Sequence, residues 1–195
     1  IHVVEGLRQA PTFSHRMEYG QMWHICEERY ALSGMAGNWS AALGGYAAGL
    51  CTKYRTQQEQ IIHWCNICRM QFPHYVAWWE KHPDVRNRTP LLQEQVFDVP
   101  YELPSGRVVR LRGKWDSVDL IGKGKDARVY LQENKTKGDI NEEQMRKQLS
   151  YDLQTMFYTI ALDGYYQDRL AKSYNGLGGI RYNVIRRPLA GGKNS

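Results

Sequence analysis

The first 89 residues carry apolar side chains at three- and four-residue spacings, and β-branched residues are sparse among them. This periodicity is typical of amphipathic helices. Three helices are predicted, over residues 19–32, 39–53 and 56–82. Ser33 and Gly34 are expected to break the first helix, and Pro73 is expected to end or kink the third. The polar stretch 83–90 predicts a connector.

The pattern changes after Pro90, where strand-forming runs are separated by turn residues. Two tight turns in succession predict an antiparallel meander of three strands. A helix is expected from Asp139 or Asn141 to Leu170. The predicted strands cover residues 91–103, 107–122, 127–138 and 178–188. The predicted fold class is therefore α/β, a mixed sheet of four to five strands flanked by helices, with a helical N-terminal elaboration.

Composition and charge narrow the class of protein. The chain has 195 residues, of which 42% are hydrophobic and 24% charged, which suits one domain over 1–195 with a helical part (1–89), a sheet part (90–189) and a tail (190–195). No apolar run approaches the roughly 18 residues of a membrane span, and no secretion leader is visible. Four cysteines are too few for a disulfide scaffold and indicate a reducing compartment. The net charge of +6 favours a polyanionic partner but does not identify it.

Charged side chains interrupt two neighbouring predicted strands. Asp116 lies in the middle of a strand-forming run, while Glu133 and Lys135, two residues apart, project from one face and Asn134 from the other. Charges inside a strand are costly unless they are paired or hold a metal. Carboxylates on adjacent strands suit Mg²⁺ or Mn²⁺, and a lysine beside them can orient or deprotonate a water or stabilise charge on a phosphate. An exposed sheet face with cross-strand ion pairs explains these two strands equally well.

Four short motifs follow one another in a specific order. They are Gly20-Gln21-Met22-Trp23-His24 with Glu27 and Glu28, then Gly113-Lys114-Trp115-Asp116, then Glu133-Asn134-Lys135, then Gln154-Thr155-Met156-Phe157-Tyr158. Together they resemble the GxxxH…E, GxxD, ExK and QxxxY motifs of the PD-(D/E)xK nuclease superfamily, and in particular of its RecB-like branch. Each motif alone arises easily by chance, whereas four in order on the expected elements are specific. They span residues 20–158, about 70% of the chain.

The resemblance implies a restriction-endonuclease-like core that binds one or two Mg²⁺ or Mn²⁺ ions. The implied metal ligands are His24, Asp116, Glu133 and the main-chain carbonyl of Asn134. Lys135 would be the catalytic lysine. A lone histidine on an apolar helix face is more often a packed core residue, so the assignment of His24 depends on the other motifs.

Further residues receive roles from the same resemblance. Gln154 and Tyr158, one helical turn apart and on one face with Tyr151, would brace the active site or touch the DNA backbone. An ordinary helix surface is the alternative interpretation. Glu94 matches a position where many members carry an acidic residue. Asp119 follows the family's spacing, and its placement on the opposite face favours a structural hydrogen-bonding role.

Basic and aromatic residues could contact nucleic acid. Candidate phosphate contacts are Lys123, Lys125, Arg128, Lys137, Arg186 and Arg187. A solvated loop is the alternative for those near the predicted turns. Four aromatic residues of the third helix could stack on unpaired bases, although helical spacing favours the core. They are Trp64, Tyr75, Trp78 and Trp79.

The cysteines give little support for a metal centre. Cys65 and Cys68 form a single CxxC pair without a second pair at zinc-site spacing, so buried thiols are the favoured interpretation. Several RecB-like nucleases carry an iron–sulfur cluster, with one cysteine before the GxxxH motif and three after the QxxxY motif. Because all four cysteines here lie between these motifs, an iron–sulfur cluster is not expected.

The resemblance leads to a functional hypothesis. The expected activity is metal-dependent hydrolysis of DNA, with an exonuclease favoured, in recombination, repair or phage genome processing in the cytoplasm of a bacterium or a phage-infected cell. The expected substrate is single- or double-stranded DNA at its ends, and a recombination partner protein is possible. A structure-selective endonuclease of the same fold is one alternative. A catalytically silent nucleic-acid-binding protein is another, but it should have lost part of the set Asp116, Glu133 and Lys135.

Overall fold

The computed structural model describes residues 12–32, 38–82 and 87–188. Its helices are α1 (His15–Leu32), α2 (Trp39–Lys53), α3 (Gln58–Lys81), α4 (Glu142–Leu149) and α5 (Leu153–Tyr165). Its strands are β1 (Arg88–Glu102), β2 (Val108–Ile121), β3 (Arg128–Lys137) and β4 (Leu177–Arg186). The predicted helix break at Ser33 and Gly34, residues 83–86 of the predicted connector and the tail 190–195 lie outside the described residues.

The four strands form one mixed sheet in the order β1-β2-β3-β4. β1, β2 and β3 form the predicted antiparallel meander, and β4 pairs with β3 in parallel. Helices flank this sheet, and α1 to α3 form the N-terminal helical part. The predicted α/β class is confirmed, with four strands in the part of the chain described. None of the helices described there is long and apolar enough to cross a membrane.

The strands β2 and β3 separate partway along the sheet, and we call this point the fork. Their pairing runs from Ile121 and Arg128 to Ser117 and Gln132 and ends at that pair. β1 and β2 stay paired beyond the fork as a two-stranded ribbon, and β3 and β4 stay paired to Lys137. We call the ribbon, residues 95–102 and 108–115, the arm. The fork leaves Asp116 and Glu133, the next residues on the two strands, beside a gap in the sheet's pairing.

The N-terminal helices pack around an aromatic core. Trp23 of α1, Trp64 and Phe72 of α3 are buried in it, and Tyr75 packs against it partly buried. Trp79 is also buried, but Trp78 is 56% exposed, so the prediction of a core position is wrong for Trp78.

Pro73 does not end α3, which continues to Lys81. Proline removes the amide that would bond the carbonyl four residues earlier, here that of Arg69. Both Pro73 and Arg69 are exposed, so this side of the helix faces water, which can satisfy the carbonyl.

A second core lies between the sheet and α5. Trp115, Val118 and Leu131 of the sheet pack with Ala161 and Leu162 of α5. Residues two apart on a strand share a face, so Leu131 lies on the same face of β3 as Glu133 and Lys135. The contact with Leu131 therefore fixes α5 against that face.

The single helix predicted from residue 139 or 141 to 170 is wrong, because two helices and a π-helical turn cover this range. Asn141 caps α4 by accepting a hydrogen bond from Gln144 N (3.0 Å), and Asp152 caps α5 by accepting one from Thr155 N (3.2 Å). A side chain that caps a new helix competes with continuation of the old one. Tyr151 therefore lies in the break between the helices and does not share a helical face with Gln154.

Candidate active site

Three side chains from three elements converge at the fork. The Nδ1 atom of His24 on α1 lies 3.1 Å from Glu94 Oε1 on β1 and 3.4 Å from Asp116 Oδ1 on β2. One ligand atom from each residue lies within 4.8 Å of the other two. An imidazole nitrogen and two carboxylate oxygens at this spacing fit a divalent cation.

The backbone of β1 and β2 presents these carboxylates. Glu94 and Asp116 lie opposite each other, between the pairs Gln93–Ser117 and Gln95–Trp115. Glu94 has a left-handed φ of 48°, which is rare outside glycine and is found at functional positions. Asp116 Oδ2 accepts a hydrogen bond from the main-chain N–H of Asn134 (2.8 Å), which joins the two strands where they no longer pair.

Glu133 and Lys135 project together from β3, as predicted from their spacing. Lys135 Nζ lies 2.5 Å from Glu133 Oε1, and Gln154 on α5 contacts both residues at 3.4 Å. Glu133 Oε2 is buried and has no hydrogen-bond partner among the described residues. An unpartnered buried carboxylate oxygen calls for an explanation, and a cation at this position would supply one.

Burial and mutual repulsion set the ionisation of this group. Burial, reinforced by the charge of Glu133, raises the pKa of Asp116 to about 6, although His24 opposes the rise. Burial lowers the pKa of His24, but its hydrogen bond with Glu94 and the neighbouring carboxylates outweigh burial and raise it. Burial acts on Lys135 in the same way, and Glu133 outweighs it, so the pKa of Lys135 is raised. In the absence of a cation, Asp116, His24 and Lys135 therefore each hold a proton to a higher pH than these residue types usually do.

Glu94 has a second basic neighbour, Lys114. Burial alone would raise the pKa of Glu94, but hydrogen bonds with His24 and Lys114 lower it. Lys114 is half exposed, at the start of the arm. Lys114 is not among the site residues predicted from the sequence, because it occupies a variable position of the GxxD motif, where no residue type is expected.

A separate group of charged side chains lies against the part of the sheet where β2 and β3 are still paired. Arg88 Nε contacts Asp119 Oδ2 and Arg88 Nη1 contacts Glu27 Oε1, both at 2.9 Å. Ser117 donates a hydrogen bond to Asp119 Oδ1 (2.6 Å). The hydrogen-bonding role predicted for Asp119 is confirmed. Glu27 is one helical turn from His24 on α1. The ion pair of Glu27 with Arg88 therefore fixes the position of α1 against the sheet, and this position brings His24 to the fork.

The structure brings some predicted residues into the site and leaves others beside it. Asn134 turns its side chain to the other face, where Asn183 donates a hydrogen bond to its Oδ1 (2.9 Å). Tyr158 packs edge-on against Phe97, with ring centroids 5.3 Å apart, in the sheet core. A Cβ added to Gly113 would lie 2.6 Å from Phe97 and 2.8 Å from Tyr158, so this motif glycine admits the two rings.

Most of the candidate phosphate contacts lie away from the fork. Lys123 and Lys125 are in the β2–β3 turn, and Arg128 donates a hydrogen bond to Lys125 O (2.7 Å). That turn is at the far end of β3, about 17 Å along the strand from Glu133 at about 3.3 Å per residue. Arg128 therefore braces the turn.

The two arginines after β4 differ in exposure. Arg186 is exposed, whereas Arg187 is buried close to Tyr19 of α1. An arginine enclosed in this way is poorly placed to reach a phosphate, so the structure does not favour a contact by Arg187. Lys137 is exposed, two residues beyond Lys135 on the same strand.

The cysteines lie in the helical core. Cys26, Cys65 and Cys68 are buried, Cys51 is partly buried, and all are free thiols. The metal-compatible group found in the described ranges contains histidine and carboxylates, without cysteine.

A comparison with protein families identifies the class of this chain. The model of the PD-(D/E)XK nuclease superfamily matches residues 1–192, and the chain therefore belongs to this superfamily. A search of curated proteins finds no match. Membership makes the protein a nuclease-type phosphodiester hydrolase with a nucleic-acid substrate, in a superfamily whose members generally use divalent metal ions.

Proposed function

We propose that this protein is a metal-dependent deoxyribonuclease of the RecB-like branch that degrades DNA from its ends. The observation that carries the proposal is the group His24, Glu94 and Asp116, whose ligand atoms lie within 4.8 Å of one another at the fork. The pair Glu133 and Lys135 lies on the facing strand, which the hydrogen bond from Asn134 N to Asp116 joins to this group. A non-catalytic relative would have no need to retain all five of these side chains.

The proposed cation ligands are the side chains of His24, Glu94 and Asp116, together with Glu133 Oε2. Oxygen ligands of this kind suit Mg²⁺ or Mn²⁺, and the imidazole is more usual for a transition metal than for Mg²⁺. When bound, such an ion supplies Lewis-acid activation of a water and stabilises charge on the phosphate oxygens. Glu94 joins this set because its carboxylate contacts His24 directly. The main-chain carbonyl of Asn134, which the resemblance implies as a ligand, stays in the proposed set.

Lys135 and Gln154 carry the remaining roles. Lys135 holds a proton on Nζ and can donate it in a hydrogen bond to a non-bridging phosphate oxygen, where negative charge develops during hydrolysis. Gln154 contacts both Lys135 and Glu133, so it restricts the orientation of the pair. Tyr158 supports the arm from beneath through Phe97 and acts as a positioning residue.

Assignment to the RecB-like branch rests on motif order. The histidine helix, the aspartate strand, the ExK strand and the QxxxY helix follow in that order, and His24, Asp116, Lys135 and Gln154 are neighbours at one fork. Exonucleases are common in this branch, which is why we propose degradation from ends, in recombination, repair or phage genome processing.

The proposal is tested by cleavage of end-labelled linear DNA and closed circular DNA with Mg²⁺, Mn²⁺ or EDTA. We expect loss of linear DNA only, with either metal, and no loss in EDTA. Glu133→Gln and Lys135→Met should abolish this loss. The matched controls Glu59→Gln and Lys172→Met change exposed residues of the same types on α3 and after α5, and they should cleave normally.

Other outcomes favour the alternatives. Nicking of the circle would replace the exonuclease with an endonuclease of the same fold. Binding of DNA without cleavage by either metal would contradict the nuclease proposal and favour a binding protein. Equal loss of RNA and DNA would contradict the restriction to DNA.

A further inference from the structure

Polar side chains connect α3 with β4 and β3 on the face of the sheet opposite the proposed catalytic pair. Asn134 of β3 and Asn183 of β4 are partners in the parallel ladder, and Asn183 Nδ2 donates a hydrogen bond to Asn134 Oδ1 (2.9 Å). Asn183 Nδ2 also donates one to the hydroxyl oxygen of Tyr75 on α3 (2.8 Å). Gln132 Nε2, 3.4 Å away, is a second donor to Asn134 Oδ1. We call Tyr75, Asn183 and Asn134 the back-face network.

This network places amides where apolar side chains would suit the burial. Asn134 is 3% exposed, and its neighbour Gln132 is 1% exposed. A buried amide exchanges hydrogen bonds with water for hydrogen bonds with protein, so its net contribution to stability is small. The same hydrogen bonds fix the orientation of the amide, which an apolar side chain of similar size does not do. The network therefore indicates a need for orientation beyond stability alone.

The main chain of Asn134 connects the back-face network with the fork. The ladder between β3 and β2 ends at Gln132, and the N–H of Asn134 donates instead to Asp116 Oδ2 (2.8 Å). This bond leaves Asp116 Oδ1 on the side of His24, 3.4 Å from Nδ1. The direction of the N–H depends on rotation of β3 about its own axis. The side chain of Asn134, held by Asn183 on the back face, resists that rotation.

Tyr75 gives the network a fixed end. Its ring packs against Trp23 of α1 and Phe72 of α3, with ring centroids 5.2 and 5.4 Å apart. Burial raises the pKa of Tyr75 well above its ordinary value, so the phenol keeps its proton. Because Trp23 precedes His24 on α1, the same aromatic packing orients both sides of the proposed cation site.

We infer that Asn183 and Tyr75 are positioning residues of the proposed cation site and act on Asp116 through Asn134. Neither lies in the four sequence motifs, and neither supplies a proposed ligand atom. The inference rests on the proposed function, because it specifies how the cation site of that function is held. Removal of polar groups behind the ligands of a metal typically weakens metal binding 10- to 100-fold.

The first test measures the Kd for Mn²⁺ by calorimetric titration in the absence of DNA. Tyr75→Phe removes only the hydroxyl that accepts from Asn183, and Asn183→Leu replaces the amide with an apolar side chain of similar size. Each should raise the Kd for Mn²⁺ about tenfold. If Asn183→Leu fails to fold, Tyr75→Phe decides, since it removes a single oxygen atom. A Kd for Tyr75→Phe within about twofold of the wild-type value overturns the inference.

The matched control is Tyr54→Phe. The Tyr54 hydroxyl donates to Glu18 (2.8 Å) in the same helical core, and Glu18 also accepts from Tyr46 of α2 (2.6 Å). Loss of either hydroxyl should lower the Tm, but only Tyr75→Phe should raise the Kd for Mn²⁺. If Tyr54→Phe raises it equally, general loosening of the helical core explains the effect and the inference is overturned.

The second test observes the Asn134 amide directly by hydrogen exchange in NMR, without metal. Tyr75→Phe and Asn183→Leu should speed exchange of the Asn134 N–H about tenfold, because its bond with Asp116 opens more often. The amides of Val118 and Leu131, in the part of the sheet where β2 and β3 are paired, should exchange as in the wild type. Equal acceleration at all three amides would indicate a structural role and overturn the inference.

The two proposals fail in distinguishable ways. If the wild-type protein binds Mn²⁺ and cuts nothing, the nuclease proposal fails, while the positioning inference is still decided by the Mn²⁺ affinities. If it cuts DNA and both network variants bind Mn²⁺ as the wild type does, the positioning inference fails and the nuclease proposal remains. If the wild-type protein binds no Mn²⁺, the cation site on which both depend is overturned.

Discussion

Two groups of charged side chains share α1 and β2 but differ in how their charge is balanced. Under the sheet, Arg88 stands between Glu27 and Asp119, with each side chain at most 2% exposed. At the fork, His24, Glu94 and Asp116 are 12 to 20% exposed, and the lysines lie at the rim of the group.

The difference separates a structural charge cluster from a cation-binding one. A guanidinium at the centre of a buried group is permanent, and its carboxylates have no need of another cation. Carboxylates that repel one another and remain reachable from solvent can bind an exchangeable ion. The same residue types on the same two elements thus serve stability in one group and chemistry in the other.

The largest expected effect is a loss of folding stability when the buried group of Arg88, Glu27 and Asp119 loses its arginine. Arg88→Ala leaves Glu27 and Asp119 buried without their cation and should lower the free energy of unfolding by about 3–5 kcal/mol, measured in urea. Arg169→Ala, which removes an exposed arginine paired with Asp168, should change it by less than about 1 kcal/mol. Equal stability of the two variants would contradict the distinction between the groups.

At the fork, the same kind of change should affect activity and spare the fold. Asp116→Asn keeps the shape and removes a charge whose burial is unfavourable, so we expect unfolding free energy to be unchanged or slightly higher. Cleavage in single turnover should fall about 10³-fold, which corresponds to about 4 kcal/mol in the barrier. Destabilisation comparable to that of Arg88→Ala would show that Asp116 is structural.

Cation binding should stabilise the protein through the fork alone. At Mn²⁺ concentrations about 100 times the Kd, the wild-type protein should gain about 2.7 kcal/mol, seen as a rise in Tm. Glu94→Gln should lose most of this gain. Glu27→Gln should start from a lower Tm and still show the gain. If Glu27→Gln abolishes the gain instead, the buried group takes part in cation binding.

The smallest expected effect is the pH dependence of Mn²⁺ affinity. Cation binding requires Asp116 ionised and His24 neutral, and the pKa of each is raised, so protons compete at both residues. Affinity should therefore rise with pH, by up to about a hundredfold per pH unit below about 6, where both residues are protonated, and by about tenfold per pH unit above it, where only His24 is. Calorimetric titration should show a shallower rise for His24→Asn, and an equal rise would exclude His24 as a ligand.

Local patterns were enough to predict the strands and the catalytic pair. Alternation along β3 places Glu133 and Lys135 on one face, and the short turn before β3 brings Asp116 beside them. Both relations involve short-range geometry that the sequence encodes directly.

Relations that depend on tertiary packing could not be predicted in this way. Glu27 and Arg88 are 61 residues apart, and no periodicity connects them. The direct contact of Glu94 with His24 depends on a left-handed backbone that a glutamate rarely adopts. Asp152, which accepts a hydrogen bond from Thr155 N, is a capping residue of a type that can mark a new helix start in the sequence.

The fork also determines how activity responds to partial unfolding. Asp116 is anchored by the arm, Glu133 by the β3–β4 pair and His24 by α1, and the ladder that would tie β2 to β3 has ended. A local opening of the arm separates these anchors and withdraws Phe97 and Trp115 from the second core, but it leaves the aromatic core of α1 to α3 intact. Loss of cleavage in denaturant should therefore precede loss of helical circular dichroism, so that activity reports the arm and circular dichroism reports the helical core of α1 to α3.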